Sequence, residues 1–433
     1  MKGFGLVLSS LMGAMGAATA VTGCATAETA NDRVNPENPT WYSRPSGAMH
    51  VIAHRSLTAT SRTIGEDYER GRAEIDPMRG RVFVGSADHG LYALRAGNGS
   101  TIWRYETLGV VQSEPLYDGD LDVVYFGSHD GALYAVRTAD GALLWRFTSG
   151  AEVAKKPVLA GEILLFANAS DQLFALDRRT GKQKWTVHRT PALGMEVAGY
   201  AGPSYDPSLG LVFQAYSDGH VIAYNATDGA EKWTPVDLSA EAEQSAGGDA
   251  PRYLDVDTTP VLDDGPNGRV IYVAGYSGGV YALDAQTGAR LWANDKATGV
   301  NDLVLWSEPA HAPTPGGPLS GGPIVPAKKV LLAASAITGL WGMEPATGRM
   351  LWRIPVPEGG ITAPVPVAGA VVVGTTRYGL FLISPRNGRV IDGIDIGTGV
   401  AQTPAAYGDR AYAMTNQGIF LGIQVERPVQ RRR

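Results

Sequence analysis

Ser277 stands in a segment, Gly-Tyr-Ser-Gly-Gly at 275–279, that has the spacing of a serine-hydrolase nucleophile. Such a nucleophile needs a sharp turn between a strand and a helix, because that turn exposes the hydroxyl. Here apolar strand patterns lie on both sides, and the corresponding segments 85–90 and 127–131 have the composition of turns. We therefore expect a hairpin turn at Ser277 rather than a catalytic site.

A second motif, Asp-Gly-Asp-Leu-Asp at 118–122, has the carboxylate spacing of a calcium-binding loop. The sixth position of such a loop must be glycine, and the twelfth is a bidentate glutamate. Val123 and His129 stand at these positions, so the motif predicts another hairpin turn. The seven histidines show no metal-ligand spacing. We expect no bound metal, no cofactor and no catalytic residue.

Cys24 is the single cysteine of the 433 residues. One thiol excludes an intramolecular disulfide, a two-cysteine zinc site and an iron–sulfur cluster. The residue follows Val21-Thr22-Gly23, and these three residues come directly after an apolar run from Phe4 to Ala20. This run is short for a membrane-spanning helix and is typical of the hydrophobic region of a signal peptide.

The segment 21–24 resembles the lipobox of bacterial lipoproteins, in which an aliphatic and two small residues precede a cysteine. The resemblance implies that residues 1–23 are a signal peptide and that lipid is attached to Cys24. The residue after the cysteine is Ala25 rather than aspartate, and in this the chain resembles lipoproteins that are sorted to the outer membrane. The resemblance implies that the protein is anchored on the periplasmic side of that membrane. The alternative is an ordinary signal peptide that is cleaved near Ala18, Ala20 or Ala25.

Two further segments flank the main part of the chain. Residues 24–45 are small and polar, and they are predicted to form a flexible tether. Residues 427–433 carry Arg427 and Arg431 to Arg433, and we interpret this basic tail as a solubilising end. The net charge of −6 and the isoelectric point of about 5.7 exclude the basic surface of a nucleic-acid-binding protein.

A Gly-x-x-x-Trp pattern recurs along the chain, and each copy follows a short apolar segment such as 280–283. Glycine accounts for 55 of the 433 residues, which predicts many tight turns. The tryptophan is expected to pack between neighbouring repeats. A seventh copy has Asp392 in place of tryptophan. The six predicted structural tryptophans are Trp103, Trp145, Trp185, Trp233, Trp292 and Trp352.

Each repeat contains four predicted strands, and four short strands per period of about 40 residues are typical of propeller blades. The last of eight copies, at 419–422, has no fourth strand after it. We predict that 48–54 supplies this strand and closes an all-β, eight-bladed propeller of four-stranded antiparallel blades over residues 46–426. The first strand is expected to follow a proline, namely Pro115, Pro157, Pro203, Pro260, Pro323, Pro364 or Pro404.

The distance from each tryptophan to the next proline is 12 residues in three repeats, but 18, 27 and 31 residues in three successive others. This spacing predicts three extended loops between blades, at 186–202, 234–259 and 293–322. Loops between blades emerge on one face of a propeller, and insertions on one face are typical of a binding surface. Tolerated length variation is the alternative, because longer surface loops destabilise a fold only slightly.

The repeat Ala-Leu-Asp-x-x-Thr-Gly-x-x-x-Trp at 282–292 resembles the repeat named for pyrroloquinoline quinone (PQQ) dehydrogenases, over roughly residues 70–425. That repeat occurs in enzymes and in non-enzymatic propellers, so it implies a fold rather than a function. The segment Asp255-Val-Asp-Thr-Thr-Pro-Val resembles a signature of the BamB family. These proteins are lipoproteins of the outer-membrane β-barrel assembly (BAM) machinery.

The BamB resemblance implies a scaffold that binds the barrel subunit, BamA, through two loops. One contact would involve Asp255, Asp257 and Thr258. The other would involve Leu193, Met195 and Glu196, although the family commonly has arginine near position 196. Asp255 and Asp257 could instead bond to backbone amides at a corner between blades. The resemblance also implies that the scaffold contacts nascent outer-membrane proteins.

Two other functions compete with the scaffold. A PQQ-dependent dehydrogenase shares the repeat, but that enzyme class usually has a vicinal cysteine pair, which a single cysteine excludes. A ligand-binding or sensory propeller of the cell envelope is the third possibility. Purification of the chain with its membrane partners distinguishes the scaffold from the sensor.

Overall fold

The computed structural model describes residues 47–57, 69–190, 200–239, 255–310, 324, 326–355 and 360–426. These residues form eight antiparallel sheets of four strands, and each sheet is one blade of a propeller. The predicted all-β, eight-bladed architecture is confirmed. No helix in the described part of the chain has the length and apolar composition needed to cross a membrane.

The strands of blades one to four follow each other in chain order from the centre outward. They are β2 (Ala73–Asp76), β3 (Arg81–Gly85), β4 (Gly90–Arg95) and β5 (Thr101–Glu106); β6 (Leu116–Asp118), β7 (Val123–Ser128), β8 (Ala132–Arg137) and β9 (Leu143–Thr148); β10 (Val158–Ala160), β11 (Ile163–Asn168), β12 (Gln172–Asp177) and β13 (Gln183–His188); β14 (Ser204–Asp206), β15 (Leu211–Ala215), β16 (His220–Asn225) and β17 (Val236–Asp237).

Blades five to eight have the same order, except that β1 is the outermost strand of blade eight. They are β18 (Val261–Gly265), β19 (Gly268–Gly275), β20 (Gly279–Asp284) and β21 (Arg290–Asn294); β22 (Val300–Glu308), β23 (Lys328–Ser335), β24 (Gly339–Met343) and β25 (Met350–Ile354); β26 (Val365–Val367), β27 (Ala370–Thr375), β28 (Gly379–Ile383) and β29 (Val390–Asp395); β30 (Ala405–Tyr407), β31 (Arg410–Met414), β32 (Ile419–Val425) and β1 (Met49–Ser56).

The ring is closed by β1. This strand pairs antiparallel with β32, from Met49 opposite Val425 to Ser56 opposite Ile419. The inner strand β30 of blade eight contacts β2 of blade one on one side and β26 of blade seven on the other. Closure by an N-terminal strand is therefore confirmed, and it leaves blade eight no shorter than the other blades.

The apolar core lies between blades. The second and third strands are buried along nearly their whole length because each is covered on both faces, for example β7. A typical cluster combines Leu332 of blade six with Val373 and Phe381 of blade seven. The strands β5, β9, β13 and β21 at the rim alternate between covered and exposed residues.

The propeller has two distinct faces. Loops between strands two and three emerge on the same face as the loops between blades, and Val111 N–H donates to Ser86 O where two such loops meet (3.0 Å). We call this the loop face. Turns between strands one and two and between strands three and four emerge on the opposite side, which we call the turn face.

Blade six differs from the prediction. Its inner strand, β22, precedes Pro323 and pairs with β23 from Val300 opposite Ser335 to Glu308 opposite Lys328. The expectations that Pro323 opens this strand and that 293–322 is a loop between blades are both wrong. The connection 309–327 instead joins strands one and two, so it leaves from the turn face. The expectation that a proline precedes each inner strand is wrong in blade six because the inner strand comes before the insertion. This strand has nine residues, whereas an inner strand such as β26 has three.

Six tryptophans lie against the next blade; five are in outer strands, and Trp233 comes just before the outer strand β17. Each indole N–H donates to a backbone carbonyl in the neighbouring turn between strands three and four, at 2.8–3.3 Å. The ring also covers the turn glycine, whose φ is 68–75° and where an added Cβ would lie within 3.0 Å of the ring. The pairs are Trp103–Gly141, Trp145–Gly181, Trp185–Gly229, Trp233–Gly288, Trp292–Gly348 and Trp352–Gly388.

Candidate functional site

Two long loops leave neighbouring positions on the loop face, and their described bases are bonded together. The first connects β13 to β14, and the second connects β17 to β18. Gly202 N–H, at the end of the first loop, donates to Thr259 Oγ1 at the end of the second (3.0 Å). Tyr200 OH donates to Glu152 O (3.0 Å) and accepts from Ala154 N–H (2.5 Å). These bonds connect the segments that enter blades three, four and five. We call these bonded segments, together with the two long loops, the loop sector.

The start of the first loop carries a charged cluster that no pattern in the sequence indicates. Arg189 Nε donates to Asp218 Oδ2 at 2.9 Å, and the guanidinium lies 5.7 Å from the centre of the Tyr216 ring. Asp171 accepts from the hydroxyl and the backbone N–H of Ser217. Burial raises the pKa of the Asp171 carboxyl, although Ser217 partly offsets this. These residues belong to two neighbouring blades, three and four, so no spacing within a single repeat signals them.

The predicted partner-binding residues Asp255, Asp257 and Thr258 are almost fully buried, with 1–2% of each residue exposed. Thr258 Oγ1 accepts from Ala274 N–H (2.8 Å) and donates to Ala274 O (3.1 Å). Ser113 makes the same pair of bonds to Gly127 two residues before the proline of blade two. Thr258 therefore fastens the corner where the second loop enters the blade.

The other predicted contact residues lie outside the described residues. Leu193, Met195 and Glu196 fall within 191–199. Cys24, the predicted site of lipid attachment, falls within 1–46. The structure brings the base of the first loop next to that of the second, and the roles of these four residues stay predictions.

The central channel contains a second polar cluster, centred on Arg72 just before β2. Its guanidinium lies 2.5 Å from Glu114 Oε1 of blade two and 3.7 Å from Asp302 Oδ2 of blade six. Its Nε donates to Gln402 Oε1 before blade eight (2.9 Å). Burial alone would lower the pKa of Arg72, but the two carboxylates raise it overall, so the side chain stays charged.

A cavity of about 360 Å³ adjoins this cluster. It is lined by β2, by β30 and by residues in front of β6 and β10. Lys156 Nζ lies 2.6 Å from Glu74 Oε2 there. Both cations that line the cavity are thus paired with carboxylates of other blades.

The comparison with known families decides which kind of propeller this is. The family model described as "Outer membrane protein assembly factor BamB" matches residues 119–306 and 301–427, which is well over half of the chain. The chain belongs to the BamB family. The resemblance of the 255–261 segment and the eight-blade count agree with this membership.

Several curated proteins are similar to this BamB-family chain. BamB of Legionella pneumophila (strain Paris) is 24% identical over 216 residues, 50% of this chain and 48% of that protein. BamB of Yersinia pestis is 25% identical over 342 residues, 78% of this chain and 67% of that protein. A tetrathionate hydrolase of Acidithiobacillus ferrooxidans is 25% identical over 351 residues, 78% of this chain and 56% of the hydrolase. The chain thus spans only about half the length of the Legionella relative and of the hydrolase.

Solved structures extend the comparison of the fold. BamB from Moraxella catarrhalis superposes with a TM-score of 0.66 at 19% identity, covering 87% of this chain and 99% of that one. A quinohemoprotein alcohol dehydrogenase from Pseudomonas putida HK5 superposes with a TM-score of 0.61 at 15% identity, covering 89% and 78%. At these identities the likeness concerns the fold alone, because BamB proteins and quinoproteins share the same propeller architecture.

The channel of this BamB-family chain does not fit the quinone cofactor of the dehydrogenases. PQQ carries three carboxylates, so its site needs unpaired cations and a metal that can bind beside it. Arg72 and Lys156 are already paired with three acidic side chains. The described residues also contain no group of three or more histidine, cysteine, aspartate or glutamate side chains that could hold a metal.

Proposed function

We propose that this chain is a non-enzymatic scaffold of the BAM complex. In this proposal it binds the barrel subunit BamA, aids the insertion of outer-membrane proteins and is held on the periplasmic side of the outer membrane by lipid on Cys24. Membership of the BamB family, over residues 119–427, is the observation that carries the proposal. BamB relatives are named outer membrane protein assembly factors.

The loop sector supports a binding role. Its two loops start from adjacent blades, and Gly202 and Thr259 couple their bases. A closed ring of sheets keeps these bases in place, and loops on a rigid scaffold are where binding residues concentrate. We propose that Leu193 and Met195 provide apolar contacts to the barrel subunit and that Glu196 lies beside them.

The burial of Asp255 and Asp257 gives the second loop a different part in the proposal. Both side chains are 2% exposed, and Thr258 between them and the blade is bonded to Ala274. We propose that these residues hold the second loop in the shape that the barrel subunit recognises. Their substitution would then weaken binding through the loop as well as through any direct contact.

A quantitative pull-down of the barrel subunit tests the proposal. Met195→Glu should weaken binding by about tenfold, because a charge replaces an apolar contact in the interface. Leu108→Glu is the matched control, since Leu108 is 80% exposed on the loop face between blades one and two. Wild-type binding by Met195→Glu, or an equal loss in both variants, would contradict the proposed interface.

Asp257→Asn extends this test to the second loop. The amide has the shape of the carboxylate but lacks its charge, so binding and folding can be separated. We expect weaker pull-down with a midpoint of thermal unfolding close to that of the wild type. A large drop in the unfolding temperature, with binding unchanged at low temperature, would show that Asp257 serves only the corner between blades.

An enzymatic function is the second candidate, because the tetrathionate hydrolase matches 78% of this chain. The paired charges in the channel argue against a quinone site, but they do not test hydrolysis. The purified chain should neither reduce an artificial acceptor with PQQ and calcium nor hydrolyse tetrathionate. Turnover in either assay that is lost on unfolding the chain would overturn the scaffold proposal.

A further inference from the structure

The chain contains three asparagine–glycine pairs, and all three lie in turns on the turn face. Residues 98–99 and 387–388 lie between strands three and four of blades one and seven, and residues 267–268 lie between strands one and two of blade five. All three asparagines are exposed. The pairs differ in what surrounds the glycine, and this difference decides which of them can react.

An asparagine–glycine pair can deamidate without an enzyme. The backbone nitrogen of the glycine, after losing its proton, forms a bond to Cγ of the asparagine, and the side-chain amide leaves as ammonia. Water then opens the five-membered imide at either of its two carbonyls, which yields aspartate or isoaspartate and adds one negative charge. Ring closure requires the side chain and the glycine nitrogen to rotate toward each other, and glycine permits this most readily because it has no Cβ.

The pair at 98–99 is locked. Gly99 N–H donates to Arg95 O (2.8 Å), and Asn98 Oδ1 accepts from Ser100 N–H (3.0 Å). The glycine is buried, and an added Cβ there would lie 3.1 Å from the Phe420 ring. Ring closure would have to break both hydrogen bonds and move the backbone against a packed ring.

The pair at 387–388 is locked in the same way. Gly388 N–H donates to Ser384 O (2.9 Å), and Asn387 Oδ1 accepts from Arg389 N–H (3.2 Å). The Trp352 ring covers the buried glycine and lies 2.6 Å from the position of an added Cβ.

The pair at 267–268 is open. Among the described residues, the Asn267 side chain has no hydrogen-bond partner. Gly268 is exposed, and no atom beyond its chain neighbours lies within 4 Å of an added Cβ. Gly268 opposite Gly265 is the last pair between β18 and β19. Ring closure therefore disturbs only the end of a hairpin, where strands open most readily.

We propose that Asn267 is a site of spontaneous deamidation in the folded protein, whereas Asn98 and Asn387 are protected by the fold. The new carboxylate would form at a turn that already holds two cations. Arg269 Nη1 donates to Asp264 Oδ1 (2.6 Å), and Lys329 Nζ donates to Asp264 O (3.1 Å). Positive charge at this turn favours the ionised product.

Peptide mapping by mass spectrometry tests the proposal on the full, folded chain. The protein is incubated in mildly alkaline buffer and digested with a protease that is active in acid, so that digestion adds no deamidation. The deamidated fraction at Asn267 should grow at least about tenfold faster than at the other two sites, because each locked pair must first lose two hydrogen bonds. A more acidic species should accumulate on ion exchange in parallel.

The same chain unfolded in guanidinium chloride is the control for intrinsic reactivity. All three asparagines should then deamidate at similar rates, because each precedes a glycine. Similar rates at the three sites in the folded chain, or no deamidation of Asn267 there, would overturn the proposal.

Asn267→Gln is the matched variant, since the longer side chain would have to close a less favourable six-membered ring. Its midpoint of thermal unfolding should equal that of the wild type, because the residue is exposed. The acidic species should not form in this variant. If the species accumulates as fast as in the wild type, it arises at another site, and the assignment to Asn267 is wrong.

Discussion

Gly181 shows at the scale of one residue how neighbouring blades are joined. Its φ is 68°, and the ring of Trp145 from the preceding blade lies where a Cβ would be, within 3.0 Å. Trp145 also donates to Arg178 O in the same turn (3.2 Å). The glycine thus serves two needs, because it adopts the left-handed conformation and it lets an aromatic ring lie directly on the backbone.

Gly181→Ala should therefore be more destabilising than the strain of a left-handed alanine alone. We expect a loss of about 2–3 kcal/mol in the free energy of unfolding, measured in urea, because overpacking against the ring adds to the backbone strain. Gly161→Ala in the same blade is the control, because its φ is 62° but no atom lies within 4 Å of the added Cβ. That variant should lose about 1 kcal/mol. Equal losses would show that the contact with Trp145 contributes nothing.

At the scale of one element, β1 explains the exception in the repeat. In blades one to six the tryptophan covers the turn glycine of the next blade. Blade eight has no such turn, because its fourth strand comes from the other end of the chain. Asp392 stands in the tryptophan position of blade seven, and its Oδ2 accepts from Ala48 N–H (2.6 Å) and Met49 N–H (3.0 Å). A carboxylate thus holds the incoming strand where a turn is missing.

Asp392→Ala should loosen β1 specifically. Two buried N–H groups lose a charged acceptor, so we expect about 2–4 kcal/mol less stability. Amide hydrogen exchange should accelerate at Ala48–Ala53 and remain slow in β15. Asp228→Ala, which removes a bond to the exposed Ala230 N–H, should leave exchange in β1 unchanged. Unchanged exchange in β1 of Asp392→Ala would show that pairing with β32 alone closes the ring.

At the scale of the whole molecule, Arg72 connects blades that are distant around the ring. Its partners belong to blades two, six and eight, while Arg72 itself precedes the inner strand of blade one. Contacts between adjacent blades could be satisfied by an open arc, whereas a contact with blade six crosses the centre. The cluster therefore stabilises the closed ring and fills part of its channel.

Arg72→Met should remove this crossing contact and leave Glu114 and Asp302 without their shared cation. We expect a loss of about 2–4 kcal/mol in the free energy of unfolding, because two carboxylates lose their cation in a partly buried site. The triple variant with Glu114→Gln and Asp302→Asn should recover most of that loss. A triple variant as unstable as Arg72→Met would indicate that packing of the arginine stem, rather than its charge, holds the channel.

Much of the fold could be predicted because each blade repeats the same local rules. The glycine turns, the apolar strands and the missing fourth strand at 419–422 together define eight blades and their closure. Blade six was predicted incorrectly because spacing between a tryptophan and a proline cannot distinguish a loop before a strand from a loop after it. The pairing of β22 with β23 decides this, and pairing depends on residues far apart in sequence.

The candidate site could be predicted only in part. Unequal spacing indicated the loops that follow blades three and four, whose bases the structure places side by side. Spacing gave no sign that Asp255 and Asp257 are buried, nor that Arg189 bonds to Asp218. Burial and ion pairs between repeats depend on how neighbouring blades pack. The sequence of a single repeat does not show which residues of the next blade contact it.

The sequence alone determined the blade number, the turn glycines, the single thiol and the charge of the two flanking segments, because each follows from local composition and spacing. Only the tertiary structure decided which face each connection leaves from, which charges fill the channel and that residues 48 and 426 meet. Those features arise when the ring closes, since closure brings together residues that are hundreds of positions apart and directs each loop to one of two faces.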